Sequence, residues 1–371
     1  MPRIDAFLQL GREQGCSDIH FTVGLPPLVR LDGELTPLRY RELSADETEI
    51  LLTEVLDDAT SSELETRGSV DLSYQAEGLG RFRLNIFRQR RGLAAICRVI
   101  PERVPHLADL GAPPVVSQFS QFSSGLVLVT GGPGTGKTTT LAAIINEINE
   151  VRGVSVITIE DPIEFLHESR KSLIVQREVG SQVRSFQEGL RSALRQDPDV
   201  ILIGELRDPE TISAAIEASE TGHLVFGTLH TRGAFQTIHR IIDAFPAENQ
   251  SQIRHTLADT LRAVLCQELV RVADGRGRRL VAEVLMMTPA IAQMIREGKT
   301  HQIPSAMTTG RRLGMQIMDC ELLRLVQSGD IDPNEAFLKA ADKREFAFYV
   351  TQPDLLAMTG PALRVVNGEE G

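Results

Sequence analysis

Hydrophobic and polar positions alternate in two different ways along the chain, and the pattern changes near residue 100. In the first hundred residues the clearest regular stretch has a period of two, which is typical of a half-buried strand. Its apolar face comprises Phe82, Leu84 and Ile86, and its polar face comprises Arg81, Arg83 and Asn85. This pattern predicts a small mixed α/β domain over residues 1–100.

Residues 101–115 interrupt the pattern. They contain several residues that break helices and strands, namely Pro101, Pro105, Gly111, Pro113 and Pro114. We interpret this stretch as a linker between two domains.

From about residue 116 onward, continuous apolar runs alternate with amphipathic stretches, which is typical of a mostly parallel sheet with helices on its faces. The apolar runs predict four strands, at 126–130, 154–160, 199–204 and 223–229. Between them, Ser185 and Glu188 form a capping-box pattern that opens a helix, and Asp208 followed by Pro209 opens another. The second domain is therefore predicted to be α/β over residues 116–346.

The end of the chain has a different pattern. Apolar residues recur at helical spacing over 257–270 and 313–326, so residues 250–345 are predicted to be mostly helical. Residues 347–371 show no clear pattern and are predicted to form a poorly ordered tail.

The most specific motif directly follows the first predicted strand of the second domain. Residues 131–138 read Gly-Gly-Pro-Gly-Thr-Gly-Lys-Thr, which matches the phosphate loop Gly-x-x-x-x-Gly-Lys-[Ser/Thr]. Glycines let backbone N–H groups approach phosphate oxygens, Lys137 places a cation on the β- and γ-phosphates, and the Thr138 hydroxyl is a Mg²⁺ ligand. The predicted nucleotide-binding residues here are Gly131, Gly132, Pro133, Gly134, Thr135, Gly136, Lys137, Thr138 and Thr139. The chain is predicted to bind ATP with Mg²⁺.

Acidic residues follow the second and third predicted strands, at the sheet edge where open α/β sheets bind their ligands. Glu160, Asp161 and Glu164 would position Mg²⁺ or the attacking water, and a solvated acidic loop is the alternative. Glu205 is predicted to coordinate the Mg²⁺ site and to orient or deprotonate the water, because phosphoryl transfer needs an acceptor in line with the γ-phosphate.

Two histidines lie at opposite ends of the fourth predicted strand, roughly 23 Å apart at ~3.3 Å per residue, so both cannot touch one phosphate from one subunit. His230, at the carboxyl end, is predicted to sense the γ-phosphate by a hydrogen bond to the nucleotide or to Glu205. His223, at the other end, is either a further nucleotide contact or a structural hydrogen bond at a helix–strand junction.

The first domain carries a dense basic patch, formed by Arg81, Arg83, Arg88, Arg90, Arg91 and Arg98. A solvated sheet face is one interpretation. The other is a guanidinium delivered to the γ-phosphate from outside the ATPase core, by Arg81 or Arg83, which can raise the rate by several orders of magnitude.

Composition narrows the function classes. Of the 371 residues, 24% are charged and 42% hydrophobic, an ordinary globular balance, and no apolar run is long enough to span a membrane. The net charge of −11, with three Tyr and no Trp, argues against a nucleic-acid partner.

The N-terminal residues lack the apolar core of a signal peptide, so we expect a cytoplasmic protein. The widely spaced cysteines, Cys16, Cys97, Cys266 and Cys320, are predicted to be reduced and buried, without a zinc site.

Several longer segments resemble one superfamily. Residues 159–165 (Ile-Glu-Asp-Pro-Ile-Glu-Phe), 194–208 and 221–231 are similar to the acidic box, Walker B motif and histidine box of the secretion ATPases. Near the start, residues 17–21 (Ser-Asp-Ile-His-Phe) and 24–34 resemble the opening of PilT-type pilus retraction ATPases, and Arg81-Phe-Arg-Leu-Asn85 continues the match.

The resemblance implies a PAS-like N-terminal domain, a RecA-like phosphate-loop ATPase domain with a helical C-terminal part, and a homohexamer with nucleotide between the two domains. It also implies an ATP-hydrolysing motor that powers type IV pilus retraction and twitching motility. Its implied partners are an inner-membrane pilus platform protein and a paralogous retraction ATPase. The motor would be cytoplasmic and peripheral to the bacterial inner membrane.

The chain lacks the longer N-terminal region and four-cysteine zinc module usual in pilus-assembly and type II secretion ATPases, which favours the retraction branch. Residues 290–297 match the retraction motif Ala-Ile-Arg-Asn-Leu-Ile-Arg-Glu in part, with Ala292 and Gln293 in place of its Arg and Asn. The alternatives are a traffic ATPase of a related secretion or pilus-assembly machine, a RecA-like nucleic-acid translocase, and a nucleotide-gated binding protein without turnover.

Overall fold

The computed structural model describes residues 2–31, 33–100, 103–275 and 277–357, and the chain divides into two compact units, Met1–Arg103 and Val104–Gly371. The division falls inside the stretch predicted as a linker, of which residues 101 and 102 lie outside the described residues.

The first unit is an antiparallel six-stranded sheet with helices packed on one face. Its strands are β1 (Asp18–Phe21), β2 (Leu28–Leu31), β3 (Glu34–Pro37), β4 (Ser69–Ala76), β5 (Gly80–Gln89) and β6 (Gly92–Val99), in the spatial order β3-β2-β1-β6-β5-β4. Its helices are α1 (Ile4–Glu13), α2 (Ala45–Thr53) and α3 (Asp58–Arg67).

The predicted alternation in β5 is confirmed, because Phe82, Leu84 and Ile86 are fully buried against the helices while Arg81 and Arg83 are partly exposed on the other face. This unit is the α/β domain that the pattern predicts.

The second unit is built on a seven-stranded sheet in the spatial order β13-β12-β7-β11-β10-β8-β9, in which neighbouring strands are parallel except β12 and β13. Its strands are β7 (Gly125–Thr130), β8 (Ser155–Glu160), β9 (Leu173–Glu178), β10 (Val200–Ile203), β11 (Leu224–Leu229), β12 (Leu261–Arg271) and β13 (Arg278–Met286). The four predicted strands are confirmed, with each end within one residue of its predicted position.

Helices cover both faces of this sheet. They are α4 (Lys137–Val151), α5 (Phe186–Ala193), α6 (Pro209–Glu220), α7 (Ala234–Asp243), α8 (Gln250–Thr260), α9 (Pro289–Arg296), α10 (Ile303–Thr309), α11 (Met318–Gln327), α12 (Pro333–Lys339) and α13 (Pro353–Ala357). Short 3₁₀ helices span Pro114–Gln121, Thr300–Gln302, Gly310–Leu313 and Ala347–Tyr349. The helix starts predicted from Ser185 and Asp208 are confirmed, since each side chain accepts a hydrogen bond from a backbone N–H of the first turn.

The prediction that residues 250–345 are mostly helical is wrong for β12 and β13. Strand β12 lies between β7 and β13 and is buried on both faces, so its apolar residues form a nearly continuous run. Such a run matches a helical pattern as well as a strand pattern, and periodicity alone does not separate them. The edge strand β9 was also not predicted.

The start of the predicted tail is structured. Ala347 is buried against α11 and α12, as is Phe346, the last residue of the predicted second domain, and α13 follows. The rest of the predicted tail, residues 358–371, lies outside the described residues.

Three of the four cysteines are buried as predicted, but Cys320 is exposed. It lies on α11, on the side that faces away from the buried Leu322 and Leu325. Within the described residues, no group of three or more His, Cys, Asp or Glu is placed to hold a metal ion. In the same part of the chain, no helix combines the length and apolar character that a membrane crossing requires.

Candidate nucleotide site

The loop between β7 and α4 has a backbone that requires glycine. Gly131, Gly134 and Gly136 have φ angles of 145°, 72° and 86°, in the region that side chains rarely adopt. A Cβ atom on Gly131 would lie 2.3 Å from the carbonyl oxygen of Gln267. The loop therefore lies directly against β12, and its glycines allow that approach.

Lys137 is the first residue of α4, and its side chain folds back into the loop. Its Nζ donates to the carbonyl oxygens of Gly131 and Gly132, each at 2.9 Å, and the residue is buried. Burial lowers the pKa of Lys137, against the charges of Glu205 and Glu164, which act to raise it. The ammonium is thus held where phosphate oxygens would compete with the loop carbonyls for it.

The start of α4 presents the remaining predicted residues of the loop. Thr138 and Thr139 lie in the first turn of the helix and are partly exposed, while Pro133 and Gly134 are exposed at the tip of the loop. The backbone N–H groups of this first turn and the helix dipole favour an anion at this end of the helix.

Glu205 follows β10 and is turned toward the loop by its neighbour. The Leu206 N–H donates to the Thr228 carbonyl oxygen at 2.9 Å, and the Leu206 side chain is buried beside Gly227. Because successive side chains of an extended segment point in opposite directions, Glu205 and Arg207 both point away from this core.

The Glu205 carboxylate has two basic partners. Its Oε2 lies 2.7 Å from Nη2 of Arg207, and its Oε1 lies 3.1 Å from Nε2 of His230. Burial acts to raise the pKa of Glu205, but the hydrogen bond and charge of Arg207, with the charges of His230 and Lys137, outweigh it and lower the pKa. Glu205 is therefore a carboxylate at neutral pH.

His230 connects this carboxylate to the loop. Its Nδ1 lies 3.4 Å from the Nζ of Lys137, while its Nε2 contacts Glu205. The structure thus brings together Lys137, His230 and Glu205 at the carboxyl ends of neighbouring strands.

The three acidic residues at and after the end of β8 have different surroundings. Glu160 is buried, and its Oε1 accepts from Thr158 Oγ1 at 2.6 Å and from Gln176 Nε2 at 3.1 Å. Burial raises the pKa of Glu160 despite these hydrogen bonds. Asp161 is exposed, and Glu164 is partly buried with its charge acting on Lys137.

The structure does not bring His223 to the loop of its own subunit. His223 precedes β11, which runs parallel to β7, so it lies at the opposite edge of the sheet from the phosphate loop. Its Nδ1 is 2.9 Å from the Ala218 carbonyl oxygen and 3.2 Å from Thr221 Oγ1. These contacts are the structural hydrogen bond at a helix–strand junction. The other interpretation of His223, a further nucleotide contact, stays a prediction.

Arg81 and Arg83 lie on the polar face of β5 in the first unit. Nη2 of Arg81 donates to Ser73 Oγ at 2.7 Å, and Nε of Arg83 lies 3.7 Å from Asp71 Oδ1. Both guanidinium groups therefore have contacts with the neighbouring strand β4.

Sequence reasoning missed two residues that shape the site. Arg207 holds the Glu205 carboxylate, and its position two residues after Glu205 in an extended segment was the available signal. Gln267 donates its Nε2 to the Thr135 carbonyl oxygen at 2.7 Å. The signal in the sequence was a glutamine within the apolar run of residues that forms β12.

A mostly parallel sheet that places a glycine loop, a buried lysine and an ionised carboxylate at one edge matches the requirements of phosphoryl transfer from ATP to water. The second unit is a RecA-like phosphate-loop ATPase domain. The type II/IV secretion system protein family matches residues 30–328, and the chain belongs to this family.

Individual relatives agree with this assignment. The chain is 44% identical over 343 residues to the type IV pilus retraction ATPase PilT of Pseudomonas aeruginosa, covering 92% of this chain and 99% of that protein. It is 37% identical over 336 residues to the type IV pilus ATPase PilU of the same organism, covering 91% and 88%. A crystal structure of the pilus retraction motor PilT with bound ADP superposes with a TM-score of 0.86 at 42% identity, covering 93% and 98%. The predicted resemblance to the PilT-type ATPases is confirmed.

Proposed function

We propose that this chain is a motor that hydrolyses ATP to power type IV pilus retraction and twitching motility. The observation that carries the proposal is the contact series Lys137–His230–Glu205, which joins the phosphate loop to an ionised carboxylate. The near full-length similarity to PilT supports the choice of pilus retraction as the work performed.

Binding begins at the loop. The phosphates of ATP accept hydrogen bonds from backbone N–H groups of the loop and of the first turn of α4. Lys137 exchanges its bonds to the Gly131 and Gly132 carbonyl oxygens for bonds to the β- and γ-phosphates.

Hydrolysis needs a water molecule in line with the γ-phosphate. The Glu205 carboxylate accepts a hydrogen bond from that water, and Arg207 and His230 fix the orientation of the carboxylate. Because its pKa is lowered, Glu205 is a weak base, so its main contribution is to orient the water rather than to remove its proton early. Glu164 supports this role through its charge near Lys137.

Mg²⁺ fits the donor set of this edge. The Thr138 hydroxyl and the Glu205 carboxylate are oxygen donors of the kind that Mg²⁺ prefers, and Mg²⁺ commonly completes its shell with water and substrate phosphates. When bound, the ion neutralises charge on the β- and γ-phosphates.

Motor action requires neighbouring subunits. We propose a homohexamer in which Arg81 or Arg83 of the first unit reaches the γ-phosphate, so that hydrolysis depends on how neighbouring units are arranged. The ring would act on an inner-membrane platform protein from the cytoplasmic side, with a paralogous ATPase as a second partner. Glu160 and Asp161 would then support the acidic loop rather than touch the phosphates.

Two experiments test this proposal. ATP hydrolysis per subunit, measured with Mg²⁺ over a range of protein concentrations, is expected to rise as subunits assemble; full activity in dilute monomer contradicts the ring. Deletion of the gene in its host is expected to abolish twitching while leaving surface pili in place. Unchanged twitching would instead indicate a traffic ATPase of another machine.

A further inference from the structure

Gln267 lies against the phosphate loop, on the side where the loop meets the sheet. It belongs to β12, one residue beyond the pairing of Cys266 with Thr130 at the end of β7. Its side chain is 1% exposed, and its Nε2 would be 3.3 Å from a Cβ atom on Gly136. The side chain of Gln267 therefore extends from the sheet and packs against the phosphate loop, near the start of α4.

The hydrogen bond from Gln267 fixes one peptide group of the loop. Nε2 donates to the carbonyl oxygen of Thr135 at 2.7 Å, and this bond is buried. The peptide that joins Thr135 to Gly136 is planar and trans, so its C=O and N–H point in opposite directions. With the Thr135 carbonyl held toward β12, the Gly136 N–H points away from β12.

The oxygen atom of the same side-chain amide is the second observation that sets Gln267 apart from a residue that only fills space. Among the described residues, Oε1 of Gln267 is a buried oxygen atom with no hydrogen-bond partner. Buried polar atoms are almost always paired, and a residue chosen only for packing would be apolar like Leu265 and Ala263, its neighbours on this face. Gln267 thus donates a hydrogen bond to the loop through Nε2 although its Oε1 is buried without a partner.

We propose that Gln267 is a positioning residue that aims the Gly136 N–H at a phosphate oxygen of bound ATP or ADP. This inference rests on the proposed ATPase function and adds a residue of β12 to the nucleotide site. Gln267 does not itself touch the nucleotide; it acts by fixing the Thr135 carbonyl.

The test is Gln267→Met in the full-length chain, with ADP binding measured by isothermal titration calorimetry and ATP turnover measured in parallel. Methionine keeps the length and shape of the side chain but donates no hydrogen bond. We expect the Kd for ADP and the KM for ATP to rise about tenfold, the effect of losing one hydrogen bond to a charged group. We expect kcat to stay within about twofold, because the contact is made equally to substrate and transition state.

Gln316→Met is the matched control. Nε2 of Gln316 also donates to a backbone carbonyl oxygen at 2.7 Å, that of Ala282, which pairs with Gln267 across β12 and β13. This variant loses the same kind of bond at β13, one strand further from the loop than β12, and is expected to bind ADP as the wild type does. A second variant, Gln267→Glu at pH 8, keeps the shape but presents two acceptor atoms, and is expected to weaken ADP binding at least as much as Gln267→Met.

Calorimetric stoichiometry separates affinity from folding, because it reports the fraction of binding-competent protein. A normal stoichiometry with a raised Kd supports the role of Gln267. An unchanged Kd with a lower stoichiometry or a lower Tm would mean a purely structural role and overturn the inference, while leaving the ATPase proposal intact. Failure of the wild-type chain to bind ADP would overturn both.

Discussion

The neighbouring parallel strands β8 and β10 each lead to a glutamate at the same edge of the sheet, yet the pKa values of the two carboxyl groups are shifted in opposite directions. Glu160 is the last residue of β8, and Glu205 lies two residues after the end of β10. Glu160 is buried beside neutral partners, Thr158 and Gln176, and its pKa is raised. Glu205 lies beside Arg207 and His230, and its pKa is lowered although it too is partly buried.

The difference shows that position at the edge of the sheet does not by itself make a catalytic carboxylate. Burial disfavours the charged form at both sites, and only cationic neighbours reverse that effect. At Glu205 those neighbours include Lys137 of the phosphate loop, whereas the charges that act on Glu160 are those of Glu164 and Glu178, which have the same sign. This contrast is the reason why we propose that Glu205, rather than Glu160, acts in phosphoryl transfer.

The largest effect is expected from removing the cation of the loop. Lys137→Ala should weaken ADP binding by about 100-fold or more, because it deletes charge-assisted hydrogen bonds to phosphate. Calorimetry measures the affinity, and Lys171→Ala, at an exposed lysine of the same domain, is the control. Near-normal ADP affinity in Lys137→Ala would contradict the placement of the phosphates in this loop.

A smaller effect on activity is expected from removing the contact between Glu205 and Arg207. Arg207→Gln removes the hydrogen bond and charge that most strongly lower the Glu205 pKa, so we expect kcat to fall about tenfold while the Kd for ADP changes by less than about twofold. Steady-state ATPase kinetics measure kcat, and calorimetry measures the Kd for ADP. Arg195→Gln, at an exposed arginine, is the control. Equal losses in the two arginine variants would show that Arg207 does not act through Glu205.

The smallest and most specific effect is the pH dependence of stability. The pKa of Glu160 is raised in the folded state above the ordinary 4.5, so its contribution to stability is complete below 4.5 and is lost as the pH rises through the folded-state pKa. The pKa of Glu205 is lowered, so its stabilisation is complete above 4.5 and is lost as the pH falls through the folded pKa. When the pH is raised from about 4 to about 7, the free energy of unfolding of Glu160→Gln should therefore increase relative to that of wild type. Over the same change in pH, the free energy of unfolding of Glu205→Gln should decrease relative to that of wild type.

Denaturant unfolding at the two pH values measures these differences, with each variant compared to wild type at the same pH. Changes in relative stability of the same sign for Glu160→Gln and Glu205→Gln would contradict the opposite pKa shifts of the two glutamates.

Much of this site could be predicted because its chemistry imposes local sequence patterns. A phosphate loop needs glycines at fixed spacing before a helix, so residues 131–138 identified it without a structure. Strands β7, β8, β10 and β11 were predicted because each is a short apolar run ended by polar residues. The acidic and histidine positions followed, since the carboxyl ends of parallel strands meet at one edge.

The parts that were missed depend on contacts distant in sequence. Strand β12 reads as a helix until its position between β7 and β13 is known, and the role of Gln267 follows from that position. The preference of Glu205 over Glu160 rests on which side chains surround each carboxylate, which no local pattern encodes. His223 was ambiguous for the same reason, because its partner Ala218 belongs to the preceding helix.

The most direct test of the central claim is the Mg²⁺-dependent ATP turnover of Glu205→Gln measured beside that of Glu160→Gln, with ADP affinity determined for both. We expect Glu205→Gln to lose about 100-fold or more in kcat, the range for a residue that orients or deprotonates the attacking water, while its ADP affinity is retained. Glu160→Gln should keep kcat within about threefold, since its amide oxygen accepts the same hydrogen bonds. Wild-type turnover in Glu205→Gln, or an equal loss in both variants, would contradict the assignment of Glu205.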